Sequence, residues 1–361
     1  MIDIMNILRN IFAASLLCIL LTSCFSDFDP KIDSKPVLCM NAQLNTTDPL
    51  TVRLTRTWNW NEGDPVGDRD IDITVRDASV GLWVNGRFVC ELEQTMQGNH
   101  YNENSPFYEE QLVYIAKDYI PAPGDVVKLI AESPVYGVAE AETTIPSPVE
   151  IDRVETKVSD VHKDQSYWSD GVMYSGKIDL DIYFTDPAPS DDFYKLVVSS
   201  ANGFYDSWEE PKGYYSYISS WSIDYTKEPL FSEHVSSLES IFSDTYGYSI
   251  FSDRQISGKT YPLHVEIDLF QFFYCNPDNL PEVDKVTIRV DLQHLTREYY
   301  NHVLSIWEAN DGLVGSLGSI GLGESVPAYS NVSTRAGIVS AEAPAYVEIP
   351  LRQLLESALS E

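Results

Sequence analysis

Apolar and polar residues alternate along much of this chain with a period of two, the pattern of half-buried β-strands. LTVRLTRTW (50–58) is one such run, and DIDITVRDASVGLWVNGRFVCEL (70–92) is a longer one. Within the latter, Asn85-Gly86 separates two alternating stretches, which predicts a type I′ hairpin. APGDVVKLIAES (122–133) reads as a turn and a strand. GVAEAETTIP (137–146) then alternates through Val138, Ala139, Ala141, Thr143 and Ile145. About seven strands over this span predict an immunoglobulin-like β-sandwich for residues 36–146.

IPSPVEI (145–151) breaks the pattern with two prolines and reads as a short linker. A larger β-rich domain with one or two short helices follows over 147–361. Its strands are expected in IDRVETKV, KIDLDIYFTDPAPSDDFYKLVVSS (177–200), YPLHVEIDLF (261–270) and KVTIRVDLQHL (285–295). A helix is expected to start at Thr296 as cap, with Tyr299, Val303 and Ile306 on one face. YVEIPLRQLLESALSE closes the chain as a strand and a short amphipathic helix. The fold class is therefore mainly all-β.

Residues 201–260 interrupt the alternation with an insertion rich in Trp, Tyr and Ser. Such a composition suits a binding surface, with rigid aromatic area beside adaptable hydroxyls. It equally suits an Ω-loop packed on its own aromatics. If the segment binds, Trp208, Tyr214, Tyr215, Tyr217 and Trp221 are the residues to stack on sugar rings or apolar peptide side chains.

The first residues change the setting. An apolar run from Ile11 to Leu21, broken only by Ser15, is too short to span a bilayer but fits the core of a signal peptide. Leu21-Thr22-Ser23-Cys24 follows. Small residues before a cleavage point admit the peptidase, and a thiol is what lipid attachment as a thioether requires. Residues 1–23 thus read as a lipoprotein signal peptide and Cys24 as the acylated N-terminus, ahead of a tether over 24–35. Several acyl chains anchor stably where one binds marginally. An ordinary signal peptide is the plainer alternative. Ser26-Asp27-Phe28-Asp29 is similar to acidic signals that send lipoproteins to the cell surface, pointing to an outer-membrane anchor that faces the exterior.

The chain has 55 acidic and 24 basic residues, a formal net charge of −31. That balance excludes nucleic acid as a partner, because phosphate binding needs a basic face. It suits a protein attached to a negatively charged surface by its lipid alone. The five cysteines are Cys18, Cys24, Cys39, Cys90 and Cys275. Cys39 and Cys90 both lie in strand-like stretches and can pair as a disulfide across a sandwich in an oxidising compartment.

The search for chemistry yields little. Asp68, Asp70 and Asp72 alternate like half a calcium loop, yet Ile73 and Ser79 stand where an EF-hand needs Gly and Glu. No GxSxG, HExxH or CxxC motif is present. These observations predict a chain that is not an enzyme, with no catalytic residues, no cofactor and no metal site.

Several stretches together resemble a family of Bacteroidetes lipoproteins, the DUF4249 family. They are the Cys24 segment, APGDVVKLIAES with AEAETTIPSPVEI, IDLDIYFTDPAPSDDFYKL, FSDRQISGKTYPLHVEI, LQHLTREYYNHV and VPAYSNVSTRAGIV. In the last, Val332 to Ala336 stand where the family has a Gly-rich run, which points to a larger loop in place of a tight turn. The resemblance implies an outer-membrane lipoprotein working beside a TonB-dependent receptor and carries over no catalytic residues. The leading expectation is an accessory binding lipoprotein for nutrient uptake with a glycan or peptide ligand. The alternative is a structural or adhesive surface protein.

Overall fold

The computed structural model describes residues 35–58, 62, 71–98, 110–165, 172–201, 204–205, 213–218, 223–225, 227–232, 249–274, 287–310, 327–350 and 353–354. The first eight strands are β1 (Leu38–Leu44), β2 (Leu50–Arg56), β3 (Ser79–Val84), β4 (Arg87–Glu91), β5 (Glu93–Gly98), β6 (Glu110–Ala116), β7 (Val126–Ser133) and β8 (Gly137–Thr144). The hairpin between β3 and β4 turns on Asn85 and Gly86, both at positive φ (52° and 76°), as a type I′ turn requires.

The next strands are β9 (Ile151–Gln165), β10 (Val172–Thr185), β11 (Phe193–Ala201), β12 (Phe204–Tyr205), β13 (Gly213–Ile218) and β14 (Ile223–Asp224). They are followed by β15 (Ile250–Ser252), β16 (Thr260–Tyr274), β17 (Thr287–Leu295), the helix α1 (Arg297–Asn310) and β18 (Gly337–Pro350). The fold is all-β, as the alternation predicts.

Three sheets hold these strands: an eight-stranded sheet in the order β15-β11-β17-β18-β1-β2-β6-β5, a six-stranded sheet β12-β13-β16-β10-β9 in which β14 also pairs with β16, and a four-stranded sheet β4-β3-β7-β8. One apolar core lies between the four-stranded sheet and the β1-β2-β6 half of the large sheet, with Leu54, Leu82 and Leu129 fully buried in it. A second lies between the six-stranded sheet and the β11-β17-β18 half, built on Phe184, Leu196, Val265 and Val290. The eight-stranded sheet is thus one layer of both cores.

β18 makes this continuity. Its first residues pair parallel with β1, Met40 opposite Gly337 through Leu44 opposite Ala341. The remainder pairs antiparallel with β17, from Leu295 opposite Glu342 to Thr287 opposite Pro350. Val339 and Ala341 fall in the first core and Ile349 in the second. The C-terminal segment therefore completes the N-terminal sandwich, a pairing that joins residues about 300 apart and that no local pattern announces. The proline-rich linker is built in as well, with Ile145 in the first core and Val149 in the second.

Three expectations need correcting. Cys39 and Cys90 are both free thiols. Cys39 alternates with core residues Leu38 and Met40 and so faces away from the core, whereas Cys90 packs against it. The sheet separates the two sulfurs. The helix caps at Thr296 as expected, its Oγ1 accepting from the Tyr299 amide at 3.4 Å. Of the face expected from the sequence, Tyr299 and Val303 do pack, beside Tyr300 and Leu304, and Trp307 is buried as well, but Ile306 is exposed. Finally, the loop after Asn331 stays tight. The Arg335 amide bonds to the Val332 carbonyl at 2.8 Å, and Arg335 itself takes the left-handed conformation (φ 59°) otherwise left to glycine.

Candidate functional site

The loop between β10 and β11 carries DPAPSDD, and two of its three carboxylates, Asp186 and Asp192, turn inward. Asp186, Asp192 and Asp253 are all buried, and each offers a carboxylate oxygen within 4.8 Å of the others. They are 67 residues apart at the extremes, and the pairing of β11 with β15, Phe193 opposite Ser252, brings them together. The backbone supports the meeting: the Asp253 amide donates to the Asp192 carbonyl at 3.0 Å and the Asp186 amide to the Lys259 carbonyl at 3.1 Å.

Protein donors meet most of this charge. The Tyr194 hydroxyl donates to Asp186 Oδ1 at 2.6 Å, and the Gly258 amide donates to Oδ2 at 2.8 Å. Ser190 Oγ donates to Asp192 Oδ2 at 2.6 Å. His294 faces acceptors at both ring nitrogens, Asp192 Oδ1 at 3.1 Å and the Ser147 carbonyl of the linker at 2.7 Å. The imidazole also stacks on Tyr194, with ring centroids 5.2 Å apart. A side chain at 258 would place its Cβ 2.6 Å from that of Ala188, so the glycine permits the close approach of the two loops.

The carboxyls differ in charge. Burial opposes the ionisation of Asp192, but the hydrogen bonds from His294 and Ser190 prevail and hold it below the usual range. Asp253 is pushed up, chiefly by burial and with the Asp186 and Asp192 carboxylates adding to the shift. Burial and the Asp186 carboxylate push the Tyr194 hydroxyl up, so it stays a donor. Three oxygens at this spacing are a geometry that can hold a hard divalent cation. Equally, the cluster is a clasp: it ties β10, β11, β15, β17 and the linker at one point in the second core.

The residues singled out in the sequence lie elsewhere. Tyr214, Tyr215 and Tyr217 sit on β13, opposite Tyr274, Phe273 and Gln271 of β16. That stretch is a sheet strand rather than an Ω-loop, because the register gives its backbone a ladder partner. Trp208 and Trp221 lie outside the described residues, as do Cys24, Asp68 and Asp70. Asp72 accepts from the Thr74 amide and pairs with Arg76 at 2.6 Å, a local turn and an exposed ion pair. Among the described residues, no helix is long and apolar enough to cross a membrane.

Four of the stretches on which the family resemblance rests meet at the clasp, through Ser147, Asp186 with Asp192, Asp253 with Gly258, and His294. A fifth closes the first sandwich: Asn331 exchanges hydrogen bonds with Val339 in both directions, at 2.8 and 3.0 Å. A family model described as "Domain of unknown function (DUF4249)" matches residues 26–342. The chain belongs to the DUF4249 family. No curated protein and no solved structure matches it. In this DUF4249 chain the matching stretches are thus the ones that fasten the sheets. The acid-rich DPAPSDD loop was the available signal for the clasp. What hid its role was the need for Asp253 and His294, which only the strand order supplies.

Proposed function

We propose that the chain is an outer-membrane lipoprotein anchored through acyl chains on Cys24, facing the cell exterior. In this reading it serves as an accessory binding protein for nutrient uptake beside a TonB-dependent barrel receptor. The single observation behind the reading is Leu21-Thr22-Ser23-Cys24 directly after an apolar core of signal-peptide length.

The architecture is consistent with such an anchor. About 14 residues separate Cys24 from β1, a reach of roughly 50 Å if extended. β1 is an interior strand of the largest sheet, paired with β2 on one side and β18 on the other. A pull on the lipid would load two hydrogen-bonded ladders together rather than peel an edge. A glycan or peptide ligand at the segment holding Trp208, Tyr214, Tyr215, Tyr217 and Trp221 belongs to the same proposal.

The adhesive reading has one observation in its favour. β4 is the edge of the four-stranded sheet, and its Phe88 and Val89 are 59% and 45% exposed. Exposed apolar edges invite strand addition. Purifying the lipidated protein from its native membrane in mild detergent discriminates the two. A stoichiometric barrel partner supports uptake. Recovery alone, even after crosslinking, defeats it, and recovery as chains of itself supports adhesion.

A further inference from the structure

The four-stranded sheet turns Leu82, Leu129 and Ala141 to the first core, so the strand alternation places their chain neighbours on the opposite, outer face. Three rows of side chains follow from the register there. Phe88, Trp83 and Lys128 stand side by side in one, and Glu91, Gly81 and Ile130 in the next. Glu132, opposite Ser79, belongs to the third. Gly81 is the odd member, since a glycine inside a strand weakens it and marks a close approach. Its backbone does not take positive φ, so conformation is not what requires it. A side chain at 81 would place its Cβ 2.5 Å from Cη2 and Cζ3 of Trp83 and 3.6 Å from Cε2 of Phe88. The two rings occupy that space instead, with centroids 5.2 Å apart at 66°. Phe88 remains 59% exposed, and the pair forms an aromatic platform on the surface.

The charge around the platform has one sign. Glu91, Glu132, Glu140 and Glu142 are exposed on the same face. Lys128 is the one base that these four strands contribute to it, and Glu140 already holds it at 3.1 Å. The whole chain adds to this field with its net charge of −31. A second copy would bring the same acids and be repelled. A neutral sugar would use the rings and leave the acids idle. A cation uses both, because the face of an aromatic ring attracts positive charge. A guanidinium is the best fit: it is planar, weakly hydrated, stacks on rings and pairs with carboxylates through two hydrogen bonds.

We propose that this face binds an arginine-bearing peptide segment of a partner protein, one guanidinium lying on the Trp83–Phe88 pair and the next two reaching Glu91 and Glu132. Alternate side chains of an extended segment lie about 7 Å apart, the same interval at which rows recur along the sheet. The proposal goes beyond the uptake reading and does not depend on the anchor.

The test measures the fluorescence anisotropy of a labelled acetyl-Arg-Ser-Arg-Ser-Arg-amide peptide with the purified chain in about 150 mM NaCl, where distant exposed charges are largely screened. A counterpart carries citrulline for each arginine, which keeps the shape and removes the charge. Phe88→Leu keeps the apolar bulk of an exposed position and deletes a ring, and unchanged thermal melting verifies the fold. The expected result is binding of the arginine peptide, weakened about fivefold by Phe88→Leu and at least about tenfold by citrulline. Glu91→Gln with Glu132→Gln is expected to cost about fivefold. Glu150→Gln with Glu348→Gln, an equal loss of charge outside this sheet, should cost nothing. Absence of binding overturns the proposal, as does equal binding of the citrulline peptide. Binding that ignores Phe88→Leu, or falls equally in both glutamine pairs, overturns it too, because attraction to the acidic chain as a whole would then account for it. Absence of a barrel partner in the membrane pull-down leaves this result standing.

Discussion

The Tyr194 hydroxyl donates a 2.6 Å hydrogen bond to Asp186 Oδ1, and both residues are at most 2% exposed. A buried carboxylate needs such donors, because removing one leaves charge without solvation or partner. Tyr194→Phe keeps the ring against Phe251 and His294 and deletes only the hydroxyl. The expected loss is about 1.5–3 kcal/mol in urea unfolding, the range for a hydrogen bond to a charged group. An unchanged midpoint would remove Tyr194 from the clasp.

Asp253 supplies a pH-dependent counterpart. Its carboxyl is raised above the ordinary 3.8, chiefly by burial and further by Asp186 and Asp192. An acid raised in the folded state stabilises the fold fully below its unfolded value, and that contribution is lost as pH rises through the folded value. Asp253→Asn removes the ionised form that the wild type carries at neutral pH. The variant is expected to melt higher at pH 7, by roughly 2–4 °C if about 1 kcal/mol is recovered. The gain should shrink towards zero as pH falls below about 4. A gain that instead grows on acidification would contradict the assignment.

Gly337 and Gly86 both have positive φ, yet they should respond differently to alanine. A Cβ at 337 would lie 2.1 Å from the Met40 carbonyl oxygen, inside the β1–β18 junction. At 86 it would meet nothing within 4 Å. Gly86→Ala is expected to cost only the left-handed backbone strain, about 1–2 kcal/mol. Gly337→Ala must displace backbone as well, and is expected to lose more than about 4 kcal/mol or to fail to accumulate. Comparable melting temperatures for the two variants would mean that the junction is not as close as described.

Cys24→Ser tests the anchor directly. With no thiol to acylate, the chain is expected to leave the membrane fraction almost completely and to lose incorporation of radiolabelled palmitate. A variant that still sediments with membranes after a high-salt wash would show that something other than the lipid holds it.

The alternation in residues 50–58 and 70–92 was enough to assign strands, because half-buried strands must alternate, and Asn85-Gly86 was enough to place a hairpin. The helix start was legible in Thr296, whose side chain satisfies an otherwise orphaned amide. Its packed face was legible in Tyr299 and Val303 but not in Ile306, which is exposed. What the spacing did not single out was Tyr300, whose ring lies 4.4 Å from that of Phe193. The disulfide reading failed for a related reason: strand-like surroundings do not say on which side of a sheet a cysteine lies.

The sequence by itself determined the β class, the local turns and the stretches that mark the family, because each depends on residues close together in the chain. Strand order is decided by which buried faces complete one another across hundreds of residues. Only the tertiary structure could place β18 between β1 and β17 and gather Asp186, Asp192, Asp253 and His294 into one clasp. Those arrangements depend on long-range pairing, whose energy is spread over whole sheets and leaves no mark at any single position.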